Sequence, residues 1–490
     1  SYARDDLHRE VARNQVNKLM QTQAWDPAGR LQEQLLGSHD GKSTLLKRQY
    51  QYDPVGRLLQ ATSRLGVETF AFDPAGNLLD EKTQQLNRPL DQAPKRNRLM
   101  DNLLREYAGT HYTYDARGNL AERLHNGVRA QFNWDLFDRL QSYSDDKLKV
   151  EYSYDALGRR LHKHSVAHYS NKPQAGTGWN QLERAKRQRE LDCGFTLFGW
   201  DGDTLAWESS PPRDEGDTGR TVHYLYEPGS FVPVAQALRR GPVRLHKQPD
   251  WSQRSYDFDQ DPLWQTHMPP QAFDAIAWYQ CDHLGTPMEL TDHNGEMAWA
   301  GQYKAWGEVR EERSGWARQV GLSNPIRFQG QYHDRETGLH YNRYRYYDPG
   351  VGRFVSNDPI SYSGGLNLYL YAANPVEWTD PLGLEKVVAA RSRAHALRLA
   401  QQHAQVPRVG RGGKEITTDI LRDESKGKNY ACLCARGSML GRRGNDTSLV
   451  FDHPDGHPHM VGEVFPEHHN GPHVHARNKK GETLVITYPG

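Results

Sequence analysis

Histidines are concentrated in two stretches near the end of this 490-residue chain, where they could act as acids and bases. Seven of them fall within 23 residues, in the segments 452–459 and 467–475. One histidine that removes a proton and another that donates one, with a cation on the phosphate, suffice for attack by a ribose 2′-hydroxyl. His473 and His475 occupy alternate positions of an expected strand and share a face, and His459 could oppose them across the sheet. The cations available to hold a phosphate are Lys414, Arg436, Arg477 and Lys479. This pattern favours a metal-independent ribonuclease.

Other chemistries stay open for the same segment. A divalent metal could be bound by His457, His459, His473 and His475 with Asp455, Glu463 or Glu467, although this spacing matches no established motif. Activity would then be lost in EDTA, whereas the ribonuclease needs no cofactor. A deaminase or an ADP-ribosyltransferase is a further alternative. However, Cys432-Leu433-Cys434 lacks the C-x-x-C spacing of zinc deaminases, and no clear glutamate pair marks a transferase. Finally, the segment could be a non-enzymatic cargo.

The elements that must position these histidines belong to a segment of distinct composition. Residues 385–490 hold 16 Lys and Arg against 11 Asp and Glu, a net charge of +5, while residues 1–384 carry −4. An excess of positive charge is typical of a domain that acts on a polyanion. The apolar periodicity predicts a small α+β domain. Its expected elements are a helix over Val387–Gln402, a basic loop over Arg408–Lys414, a short helix or strand over Ile416–Arg422, and strands over Leu449–Phe451, Met460–Val464, Val474–Ala476 and Thr483–Thr487.

A repeat of about twenty residues dominates the first third of the chain. Trp25-Asp26-Pro27-Ala28-Gly29-Arg30-Leu31 is followed by similar units centred on Asp53, Asp73, Asp115, Asp135 and Asp155. The aspartate and the glycine predict a tight turn, the aromatic ends one strand, and the leucine lies at the start of the next. The longer gap between Asp73 and Asp115 has room for one degenerate copy. Each unit is one β-hairpin that cannot bury a face alone, so the hairpins are expected to stack into a long sheet.

This unit resembles the YD repeat of Rhs proteins, teneurins and the C component of insecticidal toxin complexes. The resemblance covers about residues 20–384 and implies a mainly β fold, in which stacked hairpins wind into a shell around a toxic segment. Residues 165–250 match the repeat least and are expected to form irregular strands and loops. A shell of residues 1–277 would then precede a more specific module.

Residues 278–384 carry motifs that are similar to the Rhs-associated core. They include Tyr279-Gln280-Cys281-Asp282-His283-Leu284-Gly285-Thr286-Pro287, Arg345-Tyr346-Tyr347-Asp348-Pro349, Asp358-Pro359-Ile360 and Asp380-Pro381-Leu382-Gly383-Leu384. In that family the last motif is cut after its leucine, which implies a scissile bond between Leu384 and Glu385. Acid hydrolysis needs two carboxyl groups of unequal pKa, and like charges held close raise one of the two pKa values. The expected pair is Asp358 and Asp380, with Asp348 as a third candidate and Arg353 as the cation that keeps one carboxylate ionised.

Composition and the family resemblance together predict where the protein is made and which partners it has. The hydrophobic fraction is 36%, the mean hydropathy is −0.88, and no apolar stretch has the length of a membrane helix. Four cysteines form no disulfide framework, and the first residues do not resemble a signal peptide, so we expect synthesis in a bacterial cytoplasm and export by another route. The resemblance implies interbacterial competition, often through type VI secretion. Its implied partners are a secretion-system spike protein, a cognate immunity protein, and nucleic acid as the substrate of the released toxin.

Overall fold

Antiparallel sheet accounts for most of the computed structural model of this protein. The structure describes residues 2–6, 9–14, 19–38, 44–79, 102–213, 216–245, 249–265, 271–361, 367–372 and 374–384, together with the backbone of five strands between residues 387 and 487. A seven-stranded sheet in sequential order comes first. Its strands are β1 (Tyr2–Arg4), β2 (Glu10–Asn14), β3 (Leu19–Trp25), β4 (Leu31–Ser38), β5 (Thr44–Tyr52), β6 (Leu58–Ser63) and β7 (Gly66–Thr69).

A second sheet has fifteen strands, again in sequential order. Its first half comprises β8 (Glu106–Tyr107), β9 (Thr110–Tyr114), β10 (Leu120–His125), β11 (Val128–Trp134), β12 (Leu140–Ser144), β13 (Leu148–Tyr154) and β14 (Arg160–Ala167). The sheet continues with β15 (Phe195–Asp201), β16 (Thr204–Ser210), β17 (Arg220–Tyr226), β18 (Pro233–Arg240), β19 (Ala275–Cys281), β20 (Pro287–Thr291), β21 (Met297–Tyr303) and β22 (Val309–Arg313). The expected mainly β architecture of stacked hairpins is therefore confirmed.

Helices are few among the described residues. They are α1 (Thr177–Glu190), α2 (Pro262–Gln265) and α3 (Gly315–Gln319), with 3-10 turns at Pro173–Ala175 and Phe258–Gln260. The expectation of irregular structure over residues 165–250 is wrong, because this region contains the 14-residue α1 and four regular strands of the large sheet. None of the described helices has the length and apolar character that crossing a bilayer requires.

Each repeat folds as a turn that its own aspartate holds. In the unit at Asp155, Oδ1 accepts the backbone N–H of Arg159 at 2.8 Å and Oδ2 accepts the Arg159 guanidinium at 2.7 Å. Gly158 has φ +81°, a conformation that glycine adopts without strain. The same pairing of an aspartate with the Arg or Asn four residues later recurs at Asp26, Asp53, Asp73, Asp115 and Asp135. The Arg or Asn of the motif therefore closes the turn.

Successive repeats are joined through their aromatic residues and leucines. The hydroxyl of Tyr154 donates to the carbonyl of Leu140 at 2.7 Å, and the indole N–H of Trp134 donates to the carbonyl of Leu120 at 2.6 Å. Leu120 and Leu140 are themselves fully buried. These two aromatic side chains thus satisfy a backbone carbonyl of the preceding hairpin. This contact explains why a tyrosine or a tryptophan recurs at this position.

The end of the core module forms a small sheet that packs on the large one. It contains β23 (Tyr332–Asp334), β24 (Leu339–Tyr341), β25 (Tyr346–Asp348) and β26 (Arg353–Phe354). Tyr332, Tyr341 and Tyr346 share one buried apolar cluster with side chains of the large sheet. Lys163 of β14 also pairs with Asp334 at 2.9 Å and Glu336 at 2.6 Å. The large sheet therefore positions the residues that precede Asp358 and Asp380.

A separate five-stranded sheet follows Leu384 in sequence, in the order β27, β31, β30, β29, β28. The strands are β27 (Val387–Ala389), β28 (Ser438–Arg442), β29 (Leu449–His453), β30 (His473–Arg477) and β31 (Thr483–Thr487). Three of the four expected strands are found, and β28 was not expected. The predicted helix over Val387–Gln402 is wrong at its start, because residues 387–389 pair in parallel with β31. Met460–Val464, Arg408–Lys414 and Ile416–Arg422 lie outside the described residues, as does most of the gap that was to hold a degenerate repeat.

Candidate autoproteolytic site and histidine-bearing sheet

Asp380 begins a turn of the same kind as those of the repeats, but with one change. Its Oδ1 accepts the backbone N–H groups of Gly383 at 2.8 Å and Leu384 at 3.0 Å. Gly383 has φ +76°, as the turn glycines of the repeats do. The residue four positions after Asp380 is Leu384, so no guanidinium or amide of the same turn reaches the second carboxylate oxygen. Asp380 Oδ2 is instead available to another part of the module.

Arg345 takes that place and joins the two candidate aspartates. Its Nη2 atom lies 3.1 Å from Oδ2 of Asp358 and 3.2 Å from Oδ2 of Asp380. Arg345 is 2% exposed, and its Nη1 and Nε atoms donate to the carbonyls of Leu368 and Gly383. Two carboxyl groups that sequence places 22 positions apart therefore share one guanidinium.

A tight turn before β25 also holds the segment after Asp380. Asn342 and Arg345 exchange backbone hydrogen bonds, and the side-chain amide of Asn342 donates to the carbonyl of Asp380 at 2.9 Å. The backbone N–H of Tyr344 donates to the carbonyl of Leu382 at 3.0 Å. Gly330 approaches the segment from the other side: a Cβ atom there would lie 1.9 Å from the carbonyl oxygen of Pro381. The residues up to Leu384 are consequently fixed in place.

Burial makes the two aspartates unlike those of the repeats. Desolvation raises the pKa of Asp380 to about 6, although Arg345 opposes the shift and Asp358 adds to it. Desolvation also raises the pKa of Asp358, again against Arg345. At Asp155, by contrast, burial is outweighed by hydrogen bonds from Arg159, and the pKa is lowered. A single guanidinium between two buried carboxyl groups thus favours a state in which one of them keeps its proton.

An aromatic wall supplies the low-polarity surroundings. Phe328, Tyr347, Phe354 and Tyr371 form one buried cluster, and the Arg345 guanidinium lies 3.7 Å from the ring centroid of Phe354. Asp380 in turn contributes to the raised pKa of Tyr371, whose main cause is burial. Water is therefore largely excluded from one side of the site, which strengthens electrostatic effects there.

The structure brings Asp358 and Asp380 together but places the other two expected residues elsewhere. Asp348 lies 3.4 Å from Arg123 and accepts the backbone N–H of Gly350 at 2.9 Å. Arg353 donates to the carbonyl of Asn102 and to Oδ1 of Asn77, and it stacks on Tyr369. It therefore supports a repeat turn, while Arg345 is the cation found at both aspartates. Leu384 is held by Asp380, and Glu385 lies outside the described residues.

Sequence reasoning missed Arg345 and Asn342. Arg345 stands directly before the strand that begins with Tyr346, but nothing in its spacing distinguishes it from Arg353. The available signal was the leucine at position 384. An Asp-x-x-Gly turn without Arg or Asn at its fifth position leaves an aspartate oxygen unpaired, and a buried carboxylate then needs a cation from outside the turn.

Backbone register places the histidines of the C-terminal sheet. His473, His475 and Arg477 occupy alternate positions of β30 and so share one face. His453, which was not among the expected site residues, is the register partner of His473 on β29. His459 and His457 lie outside the described residues, as do Lys414, Arg436 and Lys479. Among the described residues no three His, Cys, Asp or Glu side chains are grouped as metal ligands would be.

Family comparisons agree with this architecture of stacked YD turns. The Teneurin YD-shell family matches residues 7–173, and the RHS protein family matches residues 276–313. The chain belongs to the Rhs/YD-repeat family.

Individual relatives carry toxin names. Double-stranded DNA deaminase toxin A of Burkholderia cenocepacia (strain H111) is 34% identical over 416 residues, which cover 78% of this chain and 26% of the relative. Toxin protein Tse5 of Pseudomonas aeruginosa is 33% identical over 445 residues, covering 78% and 31%. Probable deoxyribonuclease RhsA of Dickeya dadantii (strain 3937) is 26% identical over 486 residues, covering 94% and 29%. The chain therefore spans between about a quarter and a third of the length of these relatives.

Proposed function

We propose that this chain is part of an Rhs toxin that cuts itself after Leu384 and releases residues 385–490 as a nuclease. The observation that carries the first half is the shared contact of Asp358 and Asp380 with Arg345, at 3.1 and 3.2 Å, beside the amide of Leu384. Two carboxyl groups of raised pKa, next to the residue that bears the expected scissile carbonyl, have the components of an acid–base pair.

The proposed cleavage is a hydrolysis by water. Asp358, ionised beside Arg345, takes a proton from a water molecule as the water oxygen bonds to the carbonyl carbon of Leu384. Asp380, which keeps its proton up to a pH of about 6, gives it to the nitrogen of Glu385 as the carbon–nitrogen bond breaks. The hydrogen bonds from Gly383 and Leu384 to Asp380 hold the carboxyl group in position throughout. The products are a carboxyl group on Leu384 and an amino group on Glu385.

The shell has a containment role in this proposal. A severed tail has no covalent tie to residues 1–384, so its retention would depend on the wall of stacked hairpins around it. Delivery through a secretion-system spike protein, export without a signal peptide and a cognate immunity protein that blocks the tail belong to the same proposal. They rest on the family membership and on the toxin names of the relatives.

The tail is proposed to act on nucleic acid through its paired histidines. His473 and His475 share a face with Arg477, and His453 lies directly across from His473, so an acid, a base and a phosphate-binding cation occupy neighbouring positions. RNA is the substrate that this metal-independent arrangement favours, because a 2′-hydroxyl can be the nucleophile.

DNA is the second candidate, and one comparison favours it. The relative named a probable deoxyribonuclease aligns with 94% of this chain, a share larger than residues 1–384 alone could supply. The relatives named as a deaminase toxin and as Tse5 align with 78%, which is the share of residues 1–384. Among these three relatives, the one whose alignment includes tail residues is the one with the nuclease name.

Incubating the purified chain with total RNA and with plasmid DNA, with and without EDTA, tests the nuclease. We expect RNA breakdown that survives EDTA and that is lost in His473→Ala, because the substitution removes one of the two proton-transfer groups. His111→Ala, which removes an exposed histidine from β9 of the shell, serves as the control and should retain activity. Breakdown of DNA alone would establish the second candidate, and intact RNA and DNA in all mixtures would refute both.

A further inference from the structure

A large cavity is lined by strands of the fifteen-stranded sheet, by the end of α3 and the loop after it, and by β23; neither Asp358 nor Asp380 lines it. Its volume is about 940 Å³, within the range of small-molecule sites. One wall is a row of polar side chains in register across five strands: Lys163, Thr196, Ser210, Arg220 and Arg240. Arg313 of β22 and Arg318 of α3 also line the cavity.

Positively charged side chains outnumber negatively charged ones in the lining of this cavity. Eight Lys and Arg side chains line it, against six Asp and Glu. All six carboxylates have partners: Asp192, Asp217, Glu311, Glu336 and Glu308 are in ion pairs, and Glu208 accepts the hydroxyl of Tyr332 at 2.5 Å. Within the described part of the chain, the guanidinium groups of Arg220, Arg240, Arg313 and Arg318 form no ion pair, and the carboxylate of Asp274 contacts the backbone N–H of Arg240 at 2.6 Å. Four guanidinium groups are thus left to a common space.

The fold places two of these arginines side by side and brings one of them to the loop after α3. Arg220 and Arg240 are direct register partners on β17 and β18, and like charges at such positions repel each other. The Arg220 guanidinium also donates to the carbonyl of Gly321, at 3.0 Å, and so reaches the loop that follows α3 and Arg318. Neither contact neutralises a charge, so an anion beside Arg220 and Arg240 would relieve the repulsion.

From these observations we propose that the cavity binds a polyphosphorylated small molecule of up to nucleotide size. Guanidinium groups bind phosphate oxygens through paired N–H donors, and four of them suit an anion with more than one phosphate. The hydroxyl groups of Thr196 and Ser210 supply neutral partners. The volume is far larger than one phosphate ion needs, which favours a chain of phosphates or a nucleotide.

Isothermal titration calorimetry on the full chain tests this site, with inorganic tripolyphosphate and ATP as probes. We expect saturable binding of one equivalent of either, weakened at least tenfold in Arg220→Gln/Arg240→Gln. All four arginines are exposed, so neither variant should disturb the fold, and Arg313→Gln/Arg318→Gln should show a similar loss. Arg239→Gln, adjacent on β18 but not lining the cavity, is the matched control and should bind as the unchanged chain does.

The arms of the experiment separate the sources of the anion. Equal affinity for the two probes assigns the site to a phosphate chain, and tighter binding of ATP assigns it to a nucleotide. The proposal is overturned if neither probe binds, or if Arg239→Gln weakens binding as much as the cavity variants. It is also overturned if a single-stranded oligonucleotide binds these arginines more tightly than both probes, since the site would then belong to a nucleic-acid surface.

Discussion

Replacing Asp380 with asparagine keeps the hydrogen bonds that the side chain accepts but removes its acid group. The amide oxygen of Asn can still accept the N–H groups of Gly383 and Leu384, which Asp380 Oδ1 accepts at 2.8 and 3.0 Å. What the substitution removes is the transferable proton and the negative charge beside Arg345. General acid–base groups contribute about 10²- to 10⁴-fold to a rate, so Asp380→Asn should slow cleavage at least about 100-fold.

The fold should tolerate this change, and the pKa shift shows why. Burial raises the pKa of Asp380 from 3.8 to about 6, so ionising this carboxyl at neutral pH costs the native state roughly 3 kcal/mol. Between these two values the native chain holds a proton that the unfolded chain has released, so its contribution to stability falls as pH rises. Asparagine is neutral throughout and avoids that loss. We therefore expect Asp380→Asn to remain folded at pH 7.5, with the circular dichroism of a β-rich protein.

Timed cell-free synthesis followed by a denaturing gel provides the assay, because every chain starts uncut. The unchanged chain should yield two bands, and Asp380→Asn and Asp358→Asn should each yield one. Asp348→Asn is the matched control: this aspartate is also buried and has a raised pKa, but it is paired with Arg123. Two bands from both Asp380→Asn and Asp358→Asn would refute the reasoning, as would loss of cleavage in the control alone.

Further predictions concern the same site. Arg345→Lys keeps one positive charge but cannot bridge two carboxyl groups and two carbonyls at once, so cleavage should slow at least about tenfold on the same gel; an unchanged rate would contradict the bridging role. Gly330→Ala should also block cleavage, because its Cβ would lie 1.9 Å from the carbonyl oxygen of Pro381 and φ is +75° there. Gly338→Ala, at φ +73° with open space around its Cβ, is the control for backbone strain alone. Finally, cleavage should slow as pH rises above about 6, where Asp380 loses its proton, and a rate that increases from pH 5 to 8 would exclude Asp380 as the acid.

The repeat architecture could be predicted because its information is local. An aspartate, a glycine and a leucine within seven residues specify a turn and the start of a buried strand, and Leu58, Leu120 and Leu140 are indeed fully buried. The aspartate pair could be proposed only through resemblance, since residues 358 and 380 meet by way of Arg345 on a different element. Arg353 was the wrong cation to expect at these carboxylates. Arginines in such motifs look alike in sequence, and only the fold decides which one faces a carboxylate and which one faces Asn77 and Asn102.

In the C-terminal segment too, local patterns predict individual strands but do not predict pairing between distant residues. The strand at Thr483–Thr487 was predicted to the residue, because its run of apolar and β-branched side chains is a strong local signal. The alanines and leucines that follow Val387–Ala389 predict a helix, and that helix would include these three residues. Their pairing with β31 depends on a contact almost one hundred residues away, which no local pattern contains.

Intact-mass spectrometry of the purified chain tests the central claim most directly. Self-cleavage by the aspartate pair predicts two polypeptides from the unchanged chain, one that ends at Leu384 and one that begins at Glu385, and a single full-length mass from Asp380→Asn. A full-length mass from the unchanged chain, or a boundary at any other peptide bond, would contradict it.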